Sequence, residues 1–156
     1  MEYIVGVALA LFVCGAASLL GMDRDRVFCP TVLIVIATYY VLFAVMDGSH
    51  KVLLSEIAIA AVFTVVAVVG FKRNLWLVAA ALAGHGLMDF FHHTLVHNTG
   101  VPRGWPGFCL AFDLTAAVFV GCVLALRAHV TAQRPALTRV GAMPGQSRHI
   151  NVQEPQ

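Results

Sequence analysis

The chain has 156 residues, of which 60% are hydrophobic and 12% are charged, and its formal net charge is +2. Soluble domains carry about a quarter charged residues, so this composition excludes a soluble multidomain enzyme and a disordered protein. The small net charge, without a basic stripe, excludes a nucleic-acid-binding protein. The 4 cysteines form no Cys-x-x-Cys pair, which excludes a disulfide framework and a zinc ribbon.

Five apolar runs predict an all-α integral membrane bundle of about five transmembrane helices. Each run has about 20 residues, enough at 1.5 Å per residue to cross a hydrocarbon core about 30 Å thick. In lipid, such a segment satisfies its own backbone polar groups only as a helix. The first run begins with Glu2 and its positive charges come after it, which indicates a retained helix rather than a cleaved signal peptide. The predicted spans are residues 2–20, 28–46, 52–71, 75–97 and 108–127.

The distribution of Lys and Arg predicts the orientation of these spans. One side of the predicted bundle has Arg24, Arg26, Lys72, Arg73, Arg127, Arg134, Arg139 and Arg148. The other side has only Lys51 and Arg103. Because positively charged connections stay in the cytoplasm, we expect the N-terminus outside and the C-terminus inside. Residues 128–156 are polar and predict a disordered cytoplasmic tail, following a membrane domain over residues 1–127.

Ionisable residues occur inside the predicted spans, where they are costly. The acids concerned are Asp47, Glu56, Asp89 and Asp113, and the histidines are His85, His92, His93 and His97. The helical rise places Glu56, Asp89, Asp113, His92 and His93 at one level toward the outer side, where Asp47 and His50 end the second span. Intramembrane ionisable residues usually have a function, so this common level indicates a site near the outer leaflet.

The fourth span carries the pattern His85-x-x-x-Asp89-x-x-His92-His93-x-x-x-His97. Spacings of three and four put side chains on one helix face, and imidazoles spaced in this way hold metal ions. We therefore predict a divalent metal ion, zinc or iron, with His85, Asp89, His92 and His93 as ligands. His97, Asp47 and His50 are possible additions.

Two further acids are predicted to face this helix. Glu56 and Asp113 share their helix faces with small residues, which mark helix–helix contacts in membranes. These small residues are Ala60, Ala67 and Gly70 on the third span and Ala117, Gly121 and Ala125 on the fifth. We expect Glu56, Asp89 and Asp113 to be catalytic, and Arg103 and Trp105, in the outer connection, to bind the substrate.

Parts of the pattern resemble known sites and families. Asp89-x-x-His92 resembles one half of a di-iron carboxylate site, and the paired histidines resemble the histidine boxes of membrane desaturases, which need more histidines than this chain offers. Three His and an Asp also resemble the zinc site of ceramidase-like hydrolases, whose seven-helix frame is missing here. The segment from Gly84 to Asp113, with its Val-Pro-Arg-x-Trp-Pro element, resembles a family of small bacterial membrane proteins of unknown function. That resemblance implies a compact multi-helix membrane fold and no particular reaction.

Three functions are compatible with the sequence. The first is a metal-dependent membrane enzyme, a hydrolase or an oxidoreductase, that acts on a lipid-like or apolar substrate in the cell membrane. The second is a proton or metal-ion transporter or channel component that uses the same residues as a relay. The third is a structural subunit whose polar cluster fixes helix packing. The expected partners are membrane lipids and a lipid-like small molecule, with no nucleic acid.

Overall fold

The computed structural model describes residues 1–22 and 26–133, together with the helical backbone of residues 134–140. These residues form helices and connections, with no strand. The helices are α1 Glu2–Leu19, α2 Phe28–Asp47, α3 His50–Arg73, α4 Leu75–Leu95 and α5 Trp105–Val140. All five are long and apolar enough to cross a membrane. The prediction of an all-α fold with five such helices is confirmed.

Local sequence signals set several helix ends. Gly48 ends α2 in the left-handed conformation at φ 77°, which glycine adopts without strain. The Asn74 side chain begins α4 by accepting a hydrogen bond from the backbone N–H of Trp76 at 3.0 Å. Pro106 is the second residue of α5, where its missing N–H has no helical partner to lose. Helix α5 therefore begins at Trp105, earlier than the predicted residue 108.

The chain divides into two compact units, residues 1–124 and 125–156. The first unit holds α1 to α4 and the first part of α5. The second unit holds the end of α5, which continues to Val140, past the predicted start of the tail at residue 128. The rest of the predicted tail, residues 141–156, lies outside the described residues.

Glycines allow close helix packing in the first unit. A Cβ atom on Gly6 of α1 would lie 2.5 Å from the Phe108 carbonyl oxygen of α5. A Cβ on Gly70 of α3 would lie 2.6 Å from Val78 Cγ2 of α4. A Cβ on Gly86 of α4 would lie 2.9 Å from Asp113 Cβ of α5. Small residues thus bring these helix backbones together, as is usual for helices in membranes.

Five helix ends lie together at one end of the first unit. Helix α1 begins beside the start of α5, where a Cβ on Gly107 would lie 3.1 Å from Glu2 Cγ. Helix α2 ends there and α3 begins there after a two-residue turn, Gly48–Ser49. Helix α4 ends there, at Leu95, and residues 96–104 connect it to α5. We call this the connection end of the bundle.

The Gly86 contact yields a stability test. Replacing Gly86 by alanine forces α4 away from α5, and overpacking of this kind costs about 1–3 kcal/mol. Gly84, two residues earlier on the same helix, has no atom within 4 Å of an added Cβ. Gly84→Ala is expected to be neutral or slightly stabilising because alanine favours helix. Denaturant unfolding of both variants in detergent measures the difference, and equal stabilities would contradict this packing.

Candidate functional site

Ionisable side chains from three helices are buried together between the middle of α4 and the connection end of the bundle. Each of them is at most 2% exposed, although each carries a group that water would otherwise solvate. In the described part of the chain they are the only buried ionisable Asp, Glu, His, Lys or Arg residues. They are Glu56 on α3, His85, Asp89 and His92 on α4, and Asp113 on α5.

His85, Asp89 and Asp113 form a compact group, which we call the triad. His85 Nδ1 lies 2.8 Å from Asp113 Oδ2 and 3.3 Å from Asp89 Oδ2. One potential ligand atom from each residue lies within 4.8 Å of the other two. The triad therefore presents one nitrogen donor and two carboxylate donors to a single point between α4 and α5.

Glu56 and His92 form a second pair beside the triad. His92 Nε2 lies 2.8 Å from Glu56 Oε1, at hydrogen-bond distance. Asn98 donates from its Nδ2 to the same Glu56 oxygen at 3.0 Å. Glu56 Oε2 is left without a hydrogen-bond partner, so one oxygen of this carboxylate is fixed and the other is available.

Aromatic rings separate the triad and the pair from the rest of the bundle. The Tyr40 ring centroid lies 4.1 Å from that of His92 and 6.3 Å from that of His85. The Phe63 ring packs edge-on against His85, with centroids 4.7 Å apart. These rings exclude water, and electrostatic interactions are strong in such surroundings.

Several polar atoms of the cluster have no hydrogen-bond partner. They are Glu56 Oε2, His85 Nε2 and Asp113 Oδ1, whereas Asp89 interacts with His85, the Tyr40 hydroxyl and the Cys109 thiol. Buried polar groups in folded proteins are almost always hydrogen-bonded, and each exception costs about 1–3 kcal/mol. A bound cation or an added proton would supply the missing partners.

The structure places only part of the histidine pattern in this cluster. At 100° per residue, His85, Asp89 and His92 lie within an arc of about 60° on α4. His93 lies about 80° from His85 by the same geometry, and the structure leaves it exposed on the outer surface. His97 follows the end of α4 and is also exposed. The predicted ligand His93 and the possible ligand His97 are therefore not brought to the site.

The other predicted residues lie around the connection end. Asp47 accepts hydrogen bonds from the Thr99 backbone N–H, at 2.9 Å, and from the Thr99 hydroxyl. His50 and Arg103 are exposed, and among the described residues Arg103 forms no ion pair with Asp47 or Asp113. Trp105 is partly buried, outside the cluster.

Asn98 contributes to the site, and the sequence did not indicate it. Its side chain reaches Glu56, as described above, and also donates to the Tyr40 carbonyl oxygen at 3.4 Å. The backbone N–H of Gly100 donates to Asn98 Oδ1 at 3.1 Å, and Gly100 itself packs against the Phe43 carbonyl. The α4–α5 connection is thereby held over the Glu56–His92 pair. A connection residue has no helical periodicity, so only a three-dimensional structure reveals this role.

Comparisons with protein families, curated proteins and solved structures find no significant match to this chain. The resemblance of the segment from Gly84 to Asp113 to small bacterial membrane proteins stays a prediction.

The two adjacent histidines provide a matched pair of variants. His92→Ala leaves the buried Glu56 carboxylate with Asn98 alone, and breaking a buried pair costs about 3–5 kcal/mol. His93→Ala changes an exposed residue and is expected to alter stability by no more than about 0.5 kcal/mol. Unfolding by denaturant in detergent measures both values.

A double variant refines this test. The double variant Glu56→Leu with His92→Leu is expected to lose less unfolding free energy than the sum of the losses of Glu56→Leu and His92→Leu measured singly. The reason is that neither partner is then left buried and unpaired. Additive losses, or an equal effect of His92→Ala and His93→Ala, would contradict the pairing.

Proposed function

We propose that this protein is a multi-pass membrane protein whose connection end faces away from the cytoplasm. The support is the length and apolar character of all five helices and the distribution of positive charge. The connections at the opposite end of the bundle contain Arg24, Arg26, Lys72 and Arg73, whereas the connection end has Lys51 and Arg103. Positively charged connections favour the cytoplasmic side, so the buried cluster lies toward the outer leaflet in this proposal.

The charge of the cluster supports a bound cation. It contains three carboxylates and two imidazoles, and no Lys or Arg is buried in the described residues. Even with both imidazoles protonated, one carboxylate charge remains uncompensated. A buried unpaired charge is costly enough that the group takes up a proton or binds a cation instead. A divalent metal ion at the triad would compensate the carboxylates of Asp89 and Asp113 together.

The geometry of the triad fits such an ion. Donors that surround a tetrahedral ion at about 2.0–2.2 Å lie about 3.4 Å from one another. The His85 nitrogen lies 2.8 Å and 3.3 Å from the two carboxylate oxygens, so small side-chain rotations suffice. One imidazole and two carboxylates form a nitrogen and oxygen donor set that suits zinc or iron.

An enzyme is the function that this site supports best. A metal ion held by three protein ligands keeps a position open, where it polarises a carbonyl or activates water. Glu56 belongs to the same buried cluster and is fixed through one oxygen by His92 and Asn98, and in this proposal it is the carboxylate outside the triad that accepts a proton. Because the cluster lies inside an apolar bundle, the proposed substrate is lipid-like and arrives from the membrane.

The transporter and structural alternatives have less support. A proton or ion path needs polar groups along its length, but in the described residues the buried ionisable groups extend from the connection end only as far as His85, at the middle of α4. A packing role accounts for the pairs at 2.8 Å. It does not account for the excess of three buried carboxylates over two buried imidazoles, which leaves at least one carboxylate charge without a compensating group.

Metal analysis tests the proposal. The purified protein in detergent is expected to bind one zinc or iron ion, with the metal content lost in His85→Ala and in Asp113→Asn. Binding should weaken as the pH falls, because protons compete for these ligands. Inductively coupled plasma mass spectrometry of dialysed samples measures the stoichiometry.

His93→Ala and His97→Ala are matched controls, since both histidines are exposed. Both variants are expected to keep the full metal content. Metal-free wild-type protein after loading, or loss of metal in the two controls but not in His85→Ala, would contradict a site at the triad.

A further inference from the structure

An apolar groove with a volume of about 370 Å³ lies between α1, α2 and α5. Aliphatic and aromatic side chains line nearly all of it, among them Leu9, Val13, Val35, Ile36 and Phe112. The groove belongs to the first unit and is separate from the buried cluster described above. Nothing in the proposed metal chemistry accounts for it.

The groove runs along the helices rather than across them. On α2 its lining extends from Phe28 to Tyr39, which corresponds to about 16 Å at 1.5 Å per residue. Half of a hydrocarbon core about 30 Å thick is about 15 Å. The groove therefore has the length of one extended hydrocarbon chain in one leaflet, and its lining has the matching chemistry.

Cys109 connects the groove to the buried cluster. It lines the groove and is itself 3% exposed. Its thiol interacts electrostatically with the carboxylates of Asp89 and Asp113 on the other side. Cys109 is thus in contact with the groove and interacts with two residues of the triad.

Aromatic side chains line the groove where it reaches the start of α5. Trp105 lies there, and its ring lies 5.4 Å from Tyr39 and 5.0 Å from Phe43, centroid to centroid. These rings offer apolar contact area to a hydrocarbon chain.

We propose that this groove binds one acyl chain of a membrane phospholipid and holds it beside Cys109, next to the triad. The substrate class of the proposed enzyme is then a membrane lipid. One of its acyl chains enters the groove from the bilayer, between α1, α2 and α5. This assignment of substrate depends on the proposed function, whereas binding of the chain does not.

Photocrosslinking tests the binding. The full-length protein is reconstituted in vesicles of phosphatidylcholine that contain a fraction of phosphatidylcholine with a diazirine in one acyl chain. After irradiation, mass spectrometry locates the adducts. We expect them to concentrate on the groove-lining segments of α1, α2 and α5, above the level on outward-facing residues.

Groove-filling variants provide the comparison. Val13→Trp and Val35→Trp are expected to lower groove labelling by about tenfold, because excluding as few as two chain methylenes weakens binding by that factor. Val35 is 47% exposed, so its replacement fills the groove without disturbing the core. Val118, on α5, is 67% exposed and does not line the groove, and Val118→Trp is expected to leave labelling unchanged.

Metal content measured on the same preparations separates the two proposals. Labelling spread evenly over outward-facing residues, or unchanged in both groove variants, overturns the groove whatever the metal content. Groove labelling that both variants abolish supports the acyl-chain site, even in a protein that binds no metal, in which case only the metal-dependent function fails.

Discussion

The buried contact between His85 and Asp113 is the interaction on which the rest of the site depends. It joins α4 to α5 at 2.8 Å, and the absence of a side chain on Gly86 lets the two helices approach that closely. The same contact fixes the rotation of α4 about its own axis. With this rotation, Asp89 and His92 point into the bundle. Polar groups from three helices consequently meet inside an apolar bundle, where the negative charge of the carboxylates needs a compensating positive charge.

The surroundings of the cluster indicate how it is isolated and how it is reached. On the connection side, Asn98 and Gly100 hold the α4–α5 connection against Glu56 and Phe43. Toward α1 and α2, Cys109 both lines the apolar groove and interacts with Asp89 and Asp113. In the proposed account, a lipid-like substrate reaches the cluster from this side.

Much of the fold and part of the site could be predicted from the sequence. The length and hydropathy of the apolar runs suffice to predict five helices, because a backbone that crosses lipid has few alternatives to the helix. Helical rise and small-residue faces correctly indicated that Glu56 and Asp113 point inward. The choice between His92 and His93 could not be made, because both lie three or four residues from Asp89. That choice depends on how α4 is rotated about its axis. The contact with α5 sets this rotation, and the spacing of residues within α4 does not.

X-ray absorption spectroscopy at the metal edge of the loaded protein tests the central claim most directly. The account predicts nitrogen and oxygen ligands at about 2.0–2.2 Å, with the outer-shell scattering of a single imidazole. A shell that contains several imidazoles or sulfur, or a protein that takes up no metal, would contradict a metal site built from His85, Asp89 and Asp113.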